Sequence, residues 1–85
     1  MTVTLRYWAA AKEAAGVAEE DYDAAATVAD LLRQAQQRHP DGRLARVLAR
    51  CAFLVNGEPV GLRPHDSVTL NPGAVVEALP PFAGG

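Results

Sequence analysis

Pro80 and Pro81 stand directly behind an alternating apolar segment, Val75 to Leu79, and that junction limits the possible folds more than any other feature of the chain. Proline has no backbone N–H and holds φ near −65°, so a strand cannot carry its hydrogen-bond ladder through two of them. The last strand must stop at Leu79, and the chain beyond it projects from the sheet. After the prolines come Phe82-Ala83-Gly84-Gly85, with a diglycine in the last two positions. Glycine lacks a side chain and takes φ of either sign, which makes such an end narrow and pliable. The segment from Pro80 to Gly85 reaches about 20 Å at full extension, far enough for a terminal carboxylate to work inside another protein. The expected organisation is a folded domain over residues 1–79 and a flexible tail over residues 80–85.

Eighty-five residues, 49% of them hydrophobic, suffice for one core and leave no room for a second domain. The formal net charge of −2 argues against nucleic acid as a partner, which calls for a concentrated basic face. A single cysteine, Cys51, excludes an intrachain disulfide framework and suits a reducing compartment, so the expected location is cytoplasmic. Arg6 falls where a signal peptide would need an unbroken apolar stretch. No apolar run approaches the roughly 20 residues that span a bilayer, so no membrane association is expected.

Val3, Leu5 and Tyr7 alternate with Thr2, Thr4, Arg6 and Trp8, which predicts a first strand with one apolar face. The alanine-rich stretch Ala9 to Ala15 ends at Gly16 and reads as a short helix with a glycine stop. Val17 to Asp23 reads as a second strand, too charged at Glu19, Glu20 and Asp21 for burial on both faces and so an edge. Thr27 and Asp30 form a capping-box pattern, and Val28, Leu31, Leu32 and Ala35 then repeat at helical spacing. His39-Pro40-Asp41-Gly42 ends that helix. Leu44, Val47, Leu48 and Cys51 give a second, shorter helical stripe flanked by Arg43, Arg46 and Arg50. Ala52 to Val55 is a strand, Asn56-Gly57 a hairpin turn, and Val60 belongs to the return strand. Val68 and Leu70 alternate with polar residues before Asn71-Pro72-Gly73, where proline then glycine suits a type II turn. Strand, strand, helix and then short strands indicate an α+β fold. Were the first and last strands neighbours at the centre of the sheet, with the main helix across one face, the fold would be a β-grasp; periodicity alone does not fix that pairing.

No metal-binding, phosphate-binding or dinucleotide-binding motif occurs. His39 and His65 lie in turn-like contexts, and a catalytic base needs an oriented partner that neither has by adjacency. Cys51 continues an apolar stripe and reads as packing. The run Glu19-Glu20-Asp21 reads as a solvated strand, and the arginines Arg33, Arg38, Arg43, Arg46 and Arg50 as solvated helix faces or as a docking patch for an acidic partner. Trp8 points away from the Val3, Leu5 and Tyr7 row, so either both sheet faces are covered or one offers apolar surface to a partner, with Leu79 close to the same interface. Phe82 lies beyond the last strand and either anchors a partner or folds back on its own domain.

Three stretches resemble the MoaD/ThiS family of β-grasp sulfur carriers, relatives of ubiquitin. They are Val3 to Gly16, with an apolar strand and a short alanine-rich segment; Val55-Asn56-Gly57-Glu58, a hairpin; and Leu79-Pro80-Pro81-Phe82-Ala83-Gly84-Gly85, whose proline pair is the MoaD style. The family commonly has an Asp-Gly-Asp-Glu-like turn before the last strand, and this chain has Asn71-Pro72-Gly73-Ala74 instead. The resemblance implies a β-grasp domain whose reactive atom is on the Gly85 carboxylate. A MoeB-like adenylating enzyme would use ATP on it, a persulfide donor would convert it to a thiocarboxylate, and no cofactor would be bound by the chain itself. Pro80, Pro81, Phe82, Ala83 and Gly84 would thread into a MoaE-like large subunit, which uses the sulfur on a pterin precursor of molybdopterin. The small chain would not be catalytic alone. The alternatives are a sulfur carrier for thiamine or cysteine-type biosynthesis and a ubiquitin-like protein modifier.

Overall fold

Strand β1 (Thr2–Tyr7) buries Val3, Leu5 and Tyr7 and leaves Thr2, Thr4 and Arg6 on the other side, as a two-residue period requires. The computed structural model describes residues 2–81. After β1 come α1 (Ala10–Ala15), which Gly16 caps, and β2 (Glu19–Asp23). Then follow α2 (Val28–Arg38), α3 (Arg43–Leu48), β3 (Ala52–Val55), β4 (Glu58–Pro59) and β5 (Val75–Leu79). The five strands form one mixed sheet in the order β2-β1-β5-β3-β4, with β1 and β5 parallel at its centre and β2 on an edge. That central pairing, which periodicity left open, makes the fold a β-grasp.

Helix α2 covers one face because its sequence supplies both a start signal and a stripe. The Thr27 hydroxyl accepts from the Asp30 N–H at 3.1 Å, and the Asp30 carboxylate accepts in return from the Ala26 N–H at 3.3 Å, one residue earlier than a standard capping box. Val28, Leu31, Leu32 and Ala35 are all buried in a single core with Val3, Leu5, Tyr7, Val76 and Ala78. Leu44 and Leu48 of α3, Phe53 of β3, Ala11 of α1 and Tyr22 of β2 belong to the same core.

The turns follow their residues. Asn56 and Gly57 have φ of 50° and 85°, the paired positive values of a type I′ hairpin. The return strand β4 is shorter than expected, and Val60 lies just past it, buried, with its N–H on the Phe53 carbonyl at 2.9 Å. The Ala74 N–H closes the Asn71 turn at 3.0 Å with Gly73 at φ 82°, which fits the expected type II geometry. Two expectations shift. The second strand begins at Glu19 rather than Val17. Val68 and Leu70 are buried but form no strand of the sheet: the Val68 carbonyl accepts from the Val28 N–H at 3.0 Å and the Leu70 N–H donates to the Ala26 carbonyl at 2.9 Å. The segment therefore braces the start of α2, after a 3₁₀ turn at His65–Ser67.

Candidate functional site

Because β1 and β5 run parallel, their C-terminal ends meet at one edge of the molecule. Tyr7 pairs with Ala78, and the Trp8 N–H reaches the Ala78 carbonyl at 3.3 Å. On the other side Ala52 pairs with Leu79, the last ladder position of β5. Pro80, half-buried, and Pro81, exposed, then carry the chain away from the sheet. The expected tail residues Phe82, Ala83, Gly84 and Gly85 lie outside the described residues, so their proposed roles rest on sequence and chemistry.

The sheet face opposite α2 carries no helix among the described residues. Register places Val75 and Glu77 of β5 beside Thr4 and Arg6 of β1, and Leu54 beside Glu77. Toward β2 this face is polar: the Thr4 hydroxyl donates to Asp21 at 2.7 Å and Arg6 lies 3.3 Å from Glu19. Toward the tail it becomes apolar, with Leu54 and Leu79 half-buried and Trp8 46% exposed. The indole N–H donates to the Glu77 carboxylate at 2.9 Å, which holds the ring on the Glu77 side of the sheet. A half-exposed aromatic held by one hydrogen bond, with a half-buried leucine on the same sheet face, has the residue types enriched in interface cores. Trp8 and Leu79 therefore share this face, and Pro80 and Pro81 start from its border.

A second cluster was not legible as such in the sequence. The register sets Glu20 opposite Leu5 and Tyr22 opposite Val3, so Glu20 points inward, not to solvent. One carboxylate oxygen accepts from the Tyr7 hydroxyl at 2.7 Å, the Tyr22 hydroxyl at 3.0 Å and His39 Nε2 at 2.7 Å. Arg38 lies 3.9 Å above the Tyr22 ring and donates to the Asp21 carbonyl. Burial pushes the Glu20 carboxyl up, but the hydrogen bonds from His39, Tyr7 and Tyr22 outweigh it and leave the group below its usual value. Burial drives both tyrosine hydroxyls above theirs, so they stay protonated donors. The reading of Glu20 as a solvated strand residue is thus corrected: it is the hub that ties β2 to the C-terminal end of α2. The signal available in the sequence was parity, since Glu20 shares a strand face with Tyr22.

His65 and Cys51 make their contacts within the domain. His65 is exposed with its ring edge-on to Phe53 at 5.3 Å. Cys51 is half-buried rather than fully buried, donates to the Val47 carbonyl, and burial pushes its thiol up to about 11. Among the described residues no three His, Cys, Asp or Glu side chains gather into a possible metal site.

A mixed sheet clasping one main helix, with its central last strand leading into a tail, defines the ubiquitin-like β-grasp class. The chain belongs to the ThiS family, whose model matches residues 5–85. Among curated proteins it is 37% identical over 87 aligned positions, covering 100% of both chains, to the molybdopterin synthase sulfur carrier subunit of Chlamydomonas reinhardtii. Among solved structures it is similar to a chain of the Helicobacter pylori complex of subunits 1 and 2 of molybdopterin-converting factor, with 26% identity, 100% of both chains covered and a TM-score of 0.71. It is also similar to the small archaeal modifier protein 1 of Haloferax volcanii, with 26% identity, 100% of both chains covered and a TM-score of 0.82.

Proposed function

We propose that this chain is the sulfur-carrying small subunit of a molybdopterin synthase, and that residues 80–85 act as its working tail. The observation that carries the reading is the junction at Leu79: the central strand of a ThiS-family domain ends beside Trp8 and runs through two prolines toward Gly84-Gly85. The full-length similarity to the Chlamydomonas reinhardtii sulfur carrier subunit supports the pathway. The likeness to a chain of the Helicobacter pylori two-subunit complex supports a large-subunit partner.

A carboxylate is a poor electrophile, so the Gly85 carboxylate would first attack the α-phosphate of ATP on an adenylating, MoeB-like partner, with pyrophosphate leaving. A persulfide sulfur then displaces AMP, and a thiol takes the outer half of the resulting acyl disulfide. The Gly85 thiocarboxylate remains, and its anionic sulfur is the nucleophile. Glycine at positions 84 and 85 keeps the arm thin enough to enter both active sites. The chain is a tethered co-substrate with no cofactor of its own; ATP belongs to the activating partner and the catalytic side chains to the large subunit.

The test is intact-mass measurement after incubation with activating enzyme, ATP and a persulfide donor. The reading expects replacement of one oxygen by sulfur, lost on deletion of Gly85; an unchanged mass rejects it. The likeness to small archaeal modifier protein 1 favours a second reading, isopeptide linkage of Gly85 to lysines of other proteins. Slower-migrating conjugates that require Gly85 would identify that activity. With one lysine, Lys12, in the chain, branched self-conjugates would have a single architecture.

A further inference from the structure

Helices α1 and α3 pack side by side and leave a groove of about 610 Å³ between them. Ala10 and Ala14 on one side and Val47 on the other line it with small apolar groups, and Arg43, Arg46 and Arg50 of the second side line it as well. Spacing of i, i+3 and i+7 puts the three on one face. Arg50 keeps that alignment past the end of α3 because its N–H bonds the Val47 carbonyl at 3.0 Å. Elsewhere in the fold Arg6, Arg33 and Arg38 each meet a carboxylate, from Glu19, Asp30 and Glu20, and Arg63 donates to the Val60 and Pro59 carbonyls. Among the described residues no carboxylate lies within ion-pair distance of the Arg43, Arg46 or Arg50 guanidinium, although the Asp41 carboxylate accepts from the Arg43 backbone N–H at 3.0 Å. Glu13 is the one acid that lines the groove. In a chain of net charge −2 this concentration is not a by-product of basic composition.

Its position matters as much as its charge. Helix α1 follows Trp8 almost at once, and the turn that holds Arg50 leads into Ala52, the register partner of Leu79. The groove therefore flanks the root of the tail, next to the Trp8 face. We infer that it receives an acidic segment with small apolar side chains presented by the large subunit that takes the tail, the partner class that the likeness to the two-subunit complex supports. The apolar groups seat the segment, and the three arginines meet its carboxylates and fix the direction in which the tail enters. This inference rests on the tail being handed to a protein partner.

The experiment compares wild-type protein with the triple variant Arg43→Gln, Arg46→Gln and Arg50→Gln, which keeps long polar stems and leaves the core untouched. Each is titrated calorimetrically with purified large subunit and with purified adenylating enzyme, at low and at physiological salt. The triple variant should bind the large subunit about tenfold more weakly, the combined effect of three exposed ion pairs, and should lose most of the salt dependence of the wild type; a loss confined to the adenylating enzyme overturns the inference. The corresponding triple Lys variant should recover most of the affinity, and Glu13→Gln should tighten binding. Unchanged affinity and salt dependence of the triple Gln variant toward the large subunit also overturns the inference. If wild-type protein forms the thiocarboxylate and the triple Gln variant still binds normally, the groove is wrong and the carrier function stands; if wild-type protein forms none, the carrier function itself fails.

Discussion

Glu20 shows how one side chain can hold two elements together. Three donors converge on a single carboxylate oxygen, so Glu20→Ala leaves two tyrosine hydroxyls and His39 without their acceptor, which should cost about 1–3 kcal/mol. Thermal unfolding would register this as a lower Tm; an unchanged Tm would mean that the cluster adds nothing to stability. The same contacts predict a pH dependence. Because the folded carboxyl sits below its ordinary value of 4.5, its contribution is complete above that pH and fades as the pH falls through the folded value. Glu20→Gln should flatten that part of the stability curve in acid titrations followed by circular dichroism. Asn56 is a second such residue. Its side-chain oxygen accepts from the Val75 N–H at 2.9 Å while its own N–H donates to the Val75 carbonyl at 2.8 Å, which pins the hairpin to the start of β5. Asn56→Ala loses the acceptor and places alanine at φ 50°, a combined loss of about 2 kcal/mol, whereas Asn56→Gly loses only the acceptor. Urea unfolding should therefore rank wild type above the glycine variant and the glycine variant above alanine.

Helix α2 and strand β5 were legible because each carries its own period and its own stop. Thr27 begins α2, the i, i+3, i+4, i+7 stripe faces the core, and Pro80 closes β5 at Leu79. Thr27→Ala removes the acceptor for the Asp30 N–H and should destabilise the protein by about 1 kcal/mol in chemical denaturation. Elements whose partners are remote in sequence were less legible. Val68 and Leu70 alternate like a strand, yet their backbone groups bond Val28 and Ala26 at the start of a helix, a pairing that no local pattern encodes. Charge misled at Glu20, since a carboxylate reads as solvated until register shows which neighbours it faces. At the site itself, parity set Trp8 opposite the Val3, Leu5 and Tyr7 row, but its sharing a face with Leu79 follows from the β1–β5 register. The groove between α1 and α3 was not legible either, because helix packing rather than sequence spacing brings Ala10 and Ala14 to Arg46.

At the scale of the molecule, the parallel pairing of β1 and β5 at the centre of the sheet sets the proposed docking face around Trp8 beside Leu79, the last strand residue before the proposed tail. If Trp8 serves recognition and Gly85 serves chemistry, single changes should split the two functions. Trp8→Ala removes an indole that is 46% exposed, so the core survives, and the anchor lost from the interface should weaken large-subunit binding about tenfold or more. Sulfur transfer by that variant should recover when the large subunit is raised to saturation. Deletion of Gly85 should do the reverse: binding stays within a few-fold of wild type, because the docking face is intact, and no amount of partner restores transfer. Single-turnover transfer measured across a range of large-subunit concentrations distinguishes these outcomes. Should Trp8→Ala lower the saturated rate while leaving affinity unchanged, the indole acts on the tail's chemistry rather than on docking, and the division of labour between sheet face and tail is wrong.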